Sequence, residues 1–405
     1  FDVNGLKVIF KRRTSSPTVS VGLFVRGGVR NQSPANAGIE NLALSVAAES
    51  SKRFPREVLR KELSRTGSVI GSGSAFDFSV MSLTSTAENF SRSWGVFTDL
   101  VKDPSFAAAD VDRIRSVILA GLRNESASPD SSLGLVEESV VYAGHPYANR
   151  PLGTIENVTK FTPDDLRNYY KGLLQTSRML LVVVGDVDLA EMKKLVTASF
   201  ADLPKGDYKS TPMPRLTFAK STLDVTPRAL STNYIKGVFE APSVGDPDYY
   251  AMRVAVALLQ SRVYQEVRVK RNLSYAPNAE MGNLGANTAE IYVTAVDANQ
   301  SVRLMLAEIE RLKTEKVTEE DVTGAPGYFL TTYYVDQETN ASQAAELARY
   351  ELIGGGWRNA SKFLDGIRGV KGDQIKAVAN KYMRNLRFVV VGDPKAIDRQ
   401  LFTGN

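Results

Sequence analysis

Two stretches of the chain share one order of apolar and polar positions. RMLLVVVGD at 178–186 and LRFVVVGD at 386–393 are apolar, β-rich runs that end in Gly-Asp, which predicts a buried strand entering a turn. Their glycines, Gly185 and Gly392, stand 207 positions apart, about half of the 405 residues. Each run follows a pattern of helical period, 162–174 behind a Thr-Pro cap and 371–383, and each precedes another helix-like segment, 189–200 and 394–401. Strand-like segments at 19–26 (VSVGLFVR) and 233–240 (NYIKGVFE) open the two halves, each ahead of a polar loop and a long helical pattern. One α+β unit repeated twice, at about 200 residues per copy, accounts for all of this.

Between the copies, 201–217 holds Pro204, Pro212 and Pro214 among Lys, Gly and Ser, and reads as a connection. The expected division is therefore a domain over 1–203, a linker over 204–221 and a second domain over 222–405. Within the first copy, Ile39, Leu42, Val46 and Ala47 form an apolar stripe at helical spacing. The segment 76–86 alternates like a strand, and the glycine-rich 67–74 before it reads as a looser one.

Composition narrows the function. Apolar residues at 43% and charged residues at 23% are ordinary for a globular protein. The 50 basic and 45 acidic residues are interspersed, so nothing resembles the basic stripe of a nucleic-acid binder. No apolar run approaches the roughly 18 residues that span a bilayer. The absence of cysteine excludes disulfides, thiolate catalysis and cysteine-ligated metals. With one histidine, the chain has no conventional set of protein zinc ligands of its own. The opening at Phe1, without a methionine, is expected of a mature chain and leaves the compartment open.

Isolated candidates have bland readings. His145, in GHPYANRPLGT (144–154), has no Ser and Asp grouped with it and reads as structural. Gly354–Gly356 leads into Trp357, not into a Lys-Ser/Thr pair, and reads as a connection. Glu125, Glu137 and Glu138 are expected on solvated helical surface.

Four phrases together, NGLKVIFKRR (4–13), GLFVRGGVRN (22–31), GHPYANRPLGT (144–154) and VYQEVRVKRNLSY (263–275), resemble the pitrilysin/insulinase family of zinc peptidases in its processing-peptidase-like branch. The likeness runs in order over essentially the whole chain. It implies an α+β fold of two homologous domains, each a mostly antiparallel sheet covered by helices, forming one half of a clam-shell dimer. Active members carry H-x-x-E-H on the helix after the second strand and a distal Glu about 76 residues on; these bind zinc and activate its water. In GIENLALS (38–45) those positions hold Asn41, Leu44 and Ser45, and the distal position falls on Gly121. Leucine moves no proton and glycine has no ligand atom, so the resemblance implies a non-catalytic subunit without metal.

A second element of the family is an Arg and a Tyr seven residues apart, which bind substrate backbone and the oxyanion. Here they are Arg268 and Tyr275. The resemblance then implies a homologous zinc-bearing partner in a heterodimer, with a homodimer as the alternative. It also implies a peptide substrate, zinc in the partner only, and peptidase activity only in the complex. A structural core-type subunit or a peptide-binding module without cleavage are the competing readings. The relatives that the sequence resembles favour a periplasmic location. One departure stands out: 256–268 (VALLQSRVYQEVR) contains no glycine, unlike the glycine-rich loop of the processing peptidase's non-catalytic subunit.

Overall fold

A computed structural model describes residues 1–404, with every side chain among them except those of 325 and 326. The chain forms two sheets of like construction. In the first half the strands are β1 (Asp2–Val3), β2 (Leu6–Arg12), β3 (Thr18–Arg26), β4 (Val69–Ser74), β5 (Phe78–Thr86) and β6 (Met179–Gly185). They lie in the order β1-β2-β6-β3-β5-β4, antiparallel except for β2 beside β6. The second half supplies β7 (Thr222–Pro227), β8 (Asn233–Glu240), β9 (Asn278–Met281), β10 (Thr288–Ala295) and β11 (Arg387–Gly392). Their order is β7-β11-β8-β10-β9, with only β7 beside β11 parallel. The predicted repeat is thus real strand by strand. The two VVVG runs are the equivalent strands β6 and β11, and every residue of β6 is buried.

Compactness groups the chain differently from the repeat. One unit consists of Phe1–Asn124, Asn149–Pro212 and Tyr334–Leu352; the other consists of Glu125–Ala148, Met213–Tyr333 and the stretch from Ile353 onward. Each unit therefore takes in a helix from the opposite half of the sequence. In the first unit the helix Asn340–Ile353 is tied to the sheet at both ends. Asn340 donates to the Thr18 carbonyl at 2.9 Å and accepts from Arg13 at 2.8 Å, while Lys7 meets Glu351 at 2.5 Å. In the second unit the helix Pro129–Val141 sets Leu133 against Val389 and Val391 of β11.

The main core of the first unit joins Val21, Leu23, Leu181 and Val183 of the sheet to Leu42, Val46, Trp94, Phe97 and Phe200 of the helices. The predicted cap at Thr162 is present as a reciprocal capping box with Asp165, opening the helix Pro163–Leu173. Residues 204–221 hold no regular structure. The helix expected over 394–401 is broken, because Pro394–Ala396 is a single 3-10 turn and a short helix, Arg399–Thr403, restarts after the cap Asp398. Among the described residues no helix is long and apolar enough to cross a membrane.

Candidate functional site

The helix Ile39–Ala47 carries the positions where zinc would be held. Leu44 is buried among the core side chains, and Asn41 is nearly as buried. Ser45 lies near Ser72 of β4, 3.5 Å between hydroxyls. Gly121 sits on the helix Ala108–Asn124 on an exposed face, and an added Cβ there would meet only open space. Among the described residues no group of three His, Cys, Asp or Glu is placed to hold a metal ion. These residues do not fit zinc: an amide, a hydroxyl, an aliphatic chain and a glycine offer neither the charge nor the imidazole or thiolate nitrogen and sulfur that zinc prefers.

The same helix carries a charged residue that its apolar stripe gave no reason to single out. Glu40 is fully buried. It accepts from the Ser79 hydroxyl of β5 at 2.6 Å and from the Tyr169 hydroxyl at 2.8 Å, and it faces the Arg178 guanidinium at 3.4 Å. Burial pushes its carboxyl up, against the pull of Ser79, Arg178 and Tyr169. Arg178 is held in turn by the Arg26 carbonyl and by the ring of Tyr208. A buried polar knot therefore fastens the helix to its sheet. The sequence did not single it out, because the arginine it faces stands 138 positions later.

Arg268 and Tyr275 are brought together. The helix Tyr249–Val263 runs into a π-helical turn, Tyr264–Val269, that carries Arg268. Such turns insert a residue into the helical repeat and re-aim side chains. The turn ends at Asn272, whose φ of 51° is left-handed. Its amide donates to the Arg268 carbonyl, and the next amide, Leu273, donates to Val267. This reversal folds the chain back, so that the guanidinium of Arg268 lies 4.7 Å from the centre of the Tyr275 ring. Tyr275 is 79% exposed, so it is a surface ring and no part of the core.

The charges around this pair are unequal. Glu266 takes both neighbouring cations, Lys270 and Arg271, each at 2.5 Å, and they hold its carboxyl below the usual range. Arg268 is in no ion pair among the described residues; its side chain donates to the Asn272 side-chain oxygen at 2.9 Å. Behind the turn lies a cleft of about 370 Å³ lined by Arg262, Glu266, Lys270, Glu308, Arg311 and Asp321. Most of its charges are mutually paired, Arg262 with Asp321 and Arg311 with Glu308, while Lys316 of the same lining is in no ion pair among the described residues. Of the three cations on the turn, Arg268 is the one left unpaired, and it is presented on an exposed aromatic ring.

Other sequence candidates resolve as follows. His145 bridges two backbone groups, with Nε2 2.9 Å from the Pro214 carbonyl and Nδ1 accepting from the Tyr147 amide, and it packs edge-on against Tyr147. That is a structural clamp. Glu137 departs from the expected solvated surface: its carboxylate and that of Glu290 share Lys236 at 2.8 and 2.9 Å, largely out of solvent. Helical spacing could not show this, because the helix covers a sheet face that carries Lys236 and Glu290 on β8 and β10. The glycine-rich 67–74 forms β4, an edge strand.

Comparison with known proteins agrees with this architecture. Residues 7–154 match the model of the insulinase family, peptidase family M16, and residues 160–325 match that of the peptidase M16 inactive domain. The chain belongs to the M16 peptidase family. An uncharacterised zinc protease of Mycobacterium leprae is 24% identical to this M16 chain over 98% of it and 92% of that protein. Bovine cytochrome b-c1 complex subunit 1 is 25% identical over 63% of the chain, a match that spans 54% of the bovine protein. Among solved structures, a peptidase M16 inactive domain from Pseudomonas fluorescens superposes with a TM-score of 0.87 at 20% identity, covering 96% of each chain. A protease from Helicobacter pylori gives 0.86 at 18% identity, covering 96% and 97%. The insulinase-family match covers the helix Ile39–Ala47, and the match to the inactive domain covers Arg268 and Tyr275.

Proposed function

We propose that the chain is the non-catalytic half of a zinc metalloendopeptidase. Its partner is a homologous M16 chain that carries H-x-x-E-H and the zinc, and this chain adds Arg268 and Tyr275 to a shared peptide-binding cavity. The observation that carries the proposal is the unneutralised guanidinium stacked on an exposed tyrosine, while both neighbouring cations are already paired. A guanidinium left with free in-plane donors calls for an acceptor from outside, and peptide carbonyls and a developing oxyanion are such acceptors. The tyrosine hydroxyl adds a second donor beside it.

The test mixes the chain with a zinc-bearing M16 chain and follows cleavage of an unstructured peptide. Neither chain alone cleaves, and the mixture does. Arg268→Ala lowers kcat by about a hundredfold or more, the usual loss for one oxyanion donor, and Tyr275→Phe by about tenfold. Metal analysis finds zinc in the complex and only traces on this chain. Full activity of the mixture with both substitutions in place would sink the proposal. A scaffolding role is the second reading, favoured by the similarity to cytochrome b-c1 complex subunit 1. It predicts a stable complex whose peptidase activity, if any, is indifferent to both residues.

A further inference from the structure

The arginine-tyrosine pair depends on a third residue. Asn272 stands at φ 51°, a left-handed conformation that glycine adopts freely and asparagine tolerates. A glycine would make the same reversal of the chain, so the backbone does not explain the asparagine. Its side chain does something that glycine cannot: Oδ1 accepts from Arg268 Nη1 at 2.9 Å. The guanidinium is thereby held from two directions, by Asn272 at one end and by the face of the Tyr275 ring at 4.7 Å.

We infer that Asn272 is a positioning residue that turns Arg268 from a mobile surface cation into a fixed fork for the backbone carbonyls of an extended peptide. The inference rests on the reading of Arg268 and Tyr275 as substrate-binding groups. The centre of the guanidinium lies 4.7 Å over the ring, and its five N–H donors lie in its own plane. Asn272 takes one of them. The rest are kept from the neighbouring acid because Glu266 is already engaged by Lys270 and Arg271. An unrestrained arginine would have to freeze several rotatable bonds on binding, at roughly 0.5–1.5 kcal/mol, which corresponds to about three- to tenfold in affinity.

Two substitutions separate this role from a merely structural one. Asn272→Gly keeps the left-handed turn and removes the acceptor, and Asn272→Asp keeps an acceptor in place. In chain labelled with nitrogen-15 arginine, the Arg268 Nε–H resonance is assigned by its loss in Arg268→Lys. It is expected to be shifted by the Tyr275 ring and slow to exchange in the native chain. Asn272→Gly moves it to the position of a free arginine, and Asn272→Asp restores it. Titration with a synthetic, unstructured ten-residue peptide then shows affinity about three- to tenfold weaker in Asn272→Gly than in the native chain. An Arg268 resonance unchanged in Asn272→Gly overturns the inference. A resonance that collapses while the peptide binds as before leaves the positioning role standing and removes the substrate role of the pair.

Discussion

Glu40 offers the sharpest energetic test of this fold, because a fully buried carboxylate cannot be removed without consequence. Replacing it with alanine takes an acceptor from the buried Ser79 hydroxyl, which keeps Ser74 at 3.0 Å, and from the half-buried Tyr169 hydroxyl, and it takes the anion away from Arg178. Breaking a buried ion pair from one side costs about 3–5 kcal/mol. Arg178 keeps the Arg26 carbonyl and the Tyr208 ring, which places its share near the lower end. The hydroxyls add about 1 kcal/mol or more each unless they turn to other acceptors. An expected loss of about 4 kcal/mol follows. Glu40→Gln keeps the volume and one acceptor oxygen, and should cost about half as much.

The assay is urea unfolding followed by tryptophan fluorescence. The two tryptophans divide between the compact units. Trp94 is buried in the core that Glu40 supports, so a Trp357→Phe background reports on that unit alone. With a slope of about 3 kcal/mol per molar urea, the alanine variant should unfold more than 1 M earlier. Coupling gives a second reading: Glu40→Gln with Arg178→Met should cost less than the two changes added, because each alone leaves the other partner stranded. A loss below about 1 kcal/mol for Glu40→Ala, or strict additivity of the pair, would refute the claim that this knot anchors the helix.

Two further predictions concern the second sheet and the repeat. Burial and then the neighbouring Glu137 push the Glu290 carboxyl up to about 7, against the pull of Lys236. Its folded value lies above the ~4.3 of an unfolded glutamate, so its stabilising contribution is complete below about pH 4 and is lost as pH rises through 7. The unfolding midpoint of this unit should fall between about pH 4 and 7, and Glu290→Gln should flatten that fall; an unaltered pH profile would contradict it. The repeated glycines should differ in tolerance, measured by the same unfolding assay. A Cβ at Gly185 (φ 153°) would lie 2.4 Å from the Thr18 carbonyl oxygen and 2.5 Å from Val19 Cα, both backbone, whereas at Gly392 it would meet the side chain of Asn233 at 2.2 Å. Gly185→Ala should cost about 3 kcal/mol, and Gly392→Ala about 1–2 kcal/mol through the displaced Asn233. Equal costs would show that the two turns are less constrained than their geometry implies.

The repeat was legible because its strongest signal, an uninterrupted apolar run ended by Gly-Asp, marks a strand buried on both faces, and β6 and β11 are such strands. What covers those faces was not legible. The helix Pro129–Val141 belongs in sequence to the first half, yet it packs on β11, and Asn340–Ile353 belongs to the second half, yet it is bonded to β2 and β3 strand residues such as Lys7 and Thr18. An amphipathic period states that a helix has an apolar face; it carries no address for the surface that will bury it. The same limit hid the role of Glu137, whose partners Lys236 and Glu290 stand 99 and 153 positions away. It also hid Glu40, whose arginine lies 138 positions on.

At the arginine-tyrosine pair, the spacing was legible and its meaning was not. On a continuous α-helix, residues seven apart share a face but stand two turns, about 10.5 Å, apart along the axis. The observed 4.7 Å between the Arg268 guanidinium and the Tyr275 ring therefore cannot come from helical periodicity alone. It comes from ending the helix in a π turn and reversing the chain at a left-handed asparagine. Neither event has a periodic signature; an asparagine among polar neighbours is compatible with helix, turn or loop. What the sequence does hold is the charge arithmetic. EVRVKRN contains three cations and one acid, so the segment carries surplus positive charge, and the geometry assigns Glu266 to Lys270 and Arg271. The residue left over is the one that lies over an exposed tyrosine, which is why the proposed binding role falls on Arg268 and not on either neighbour.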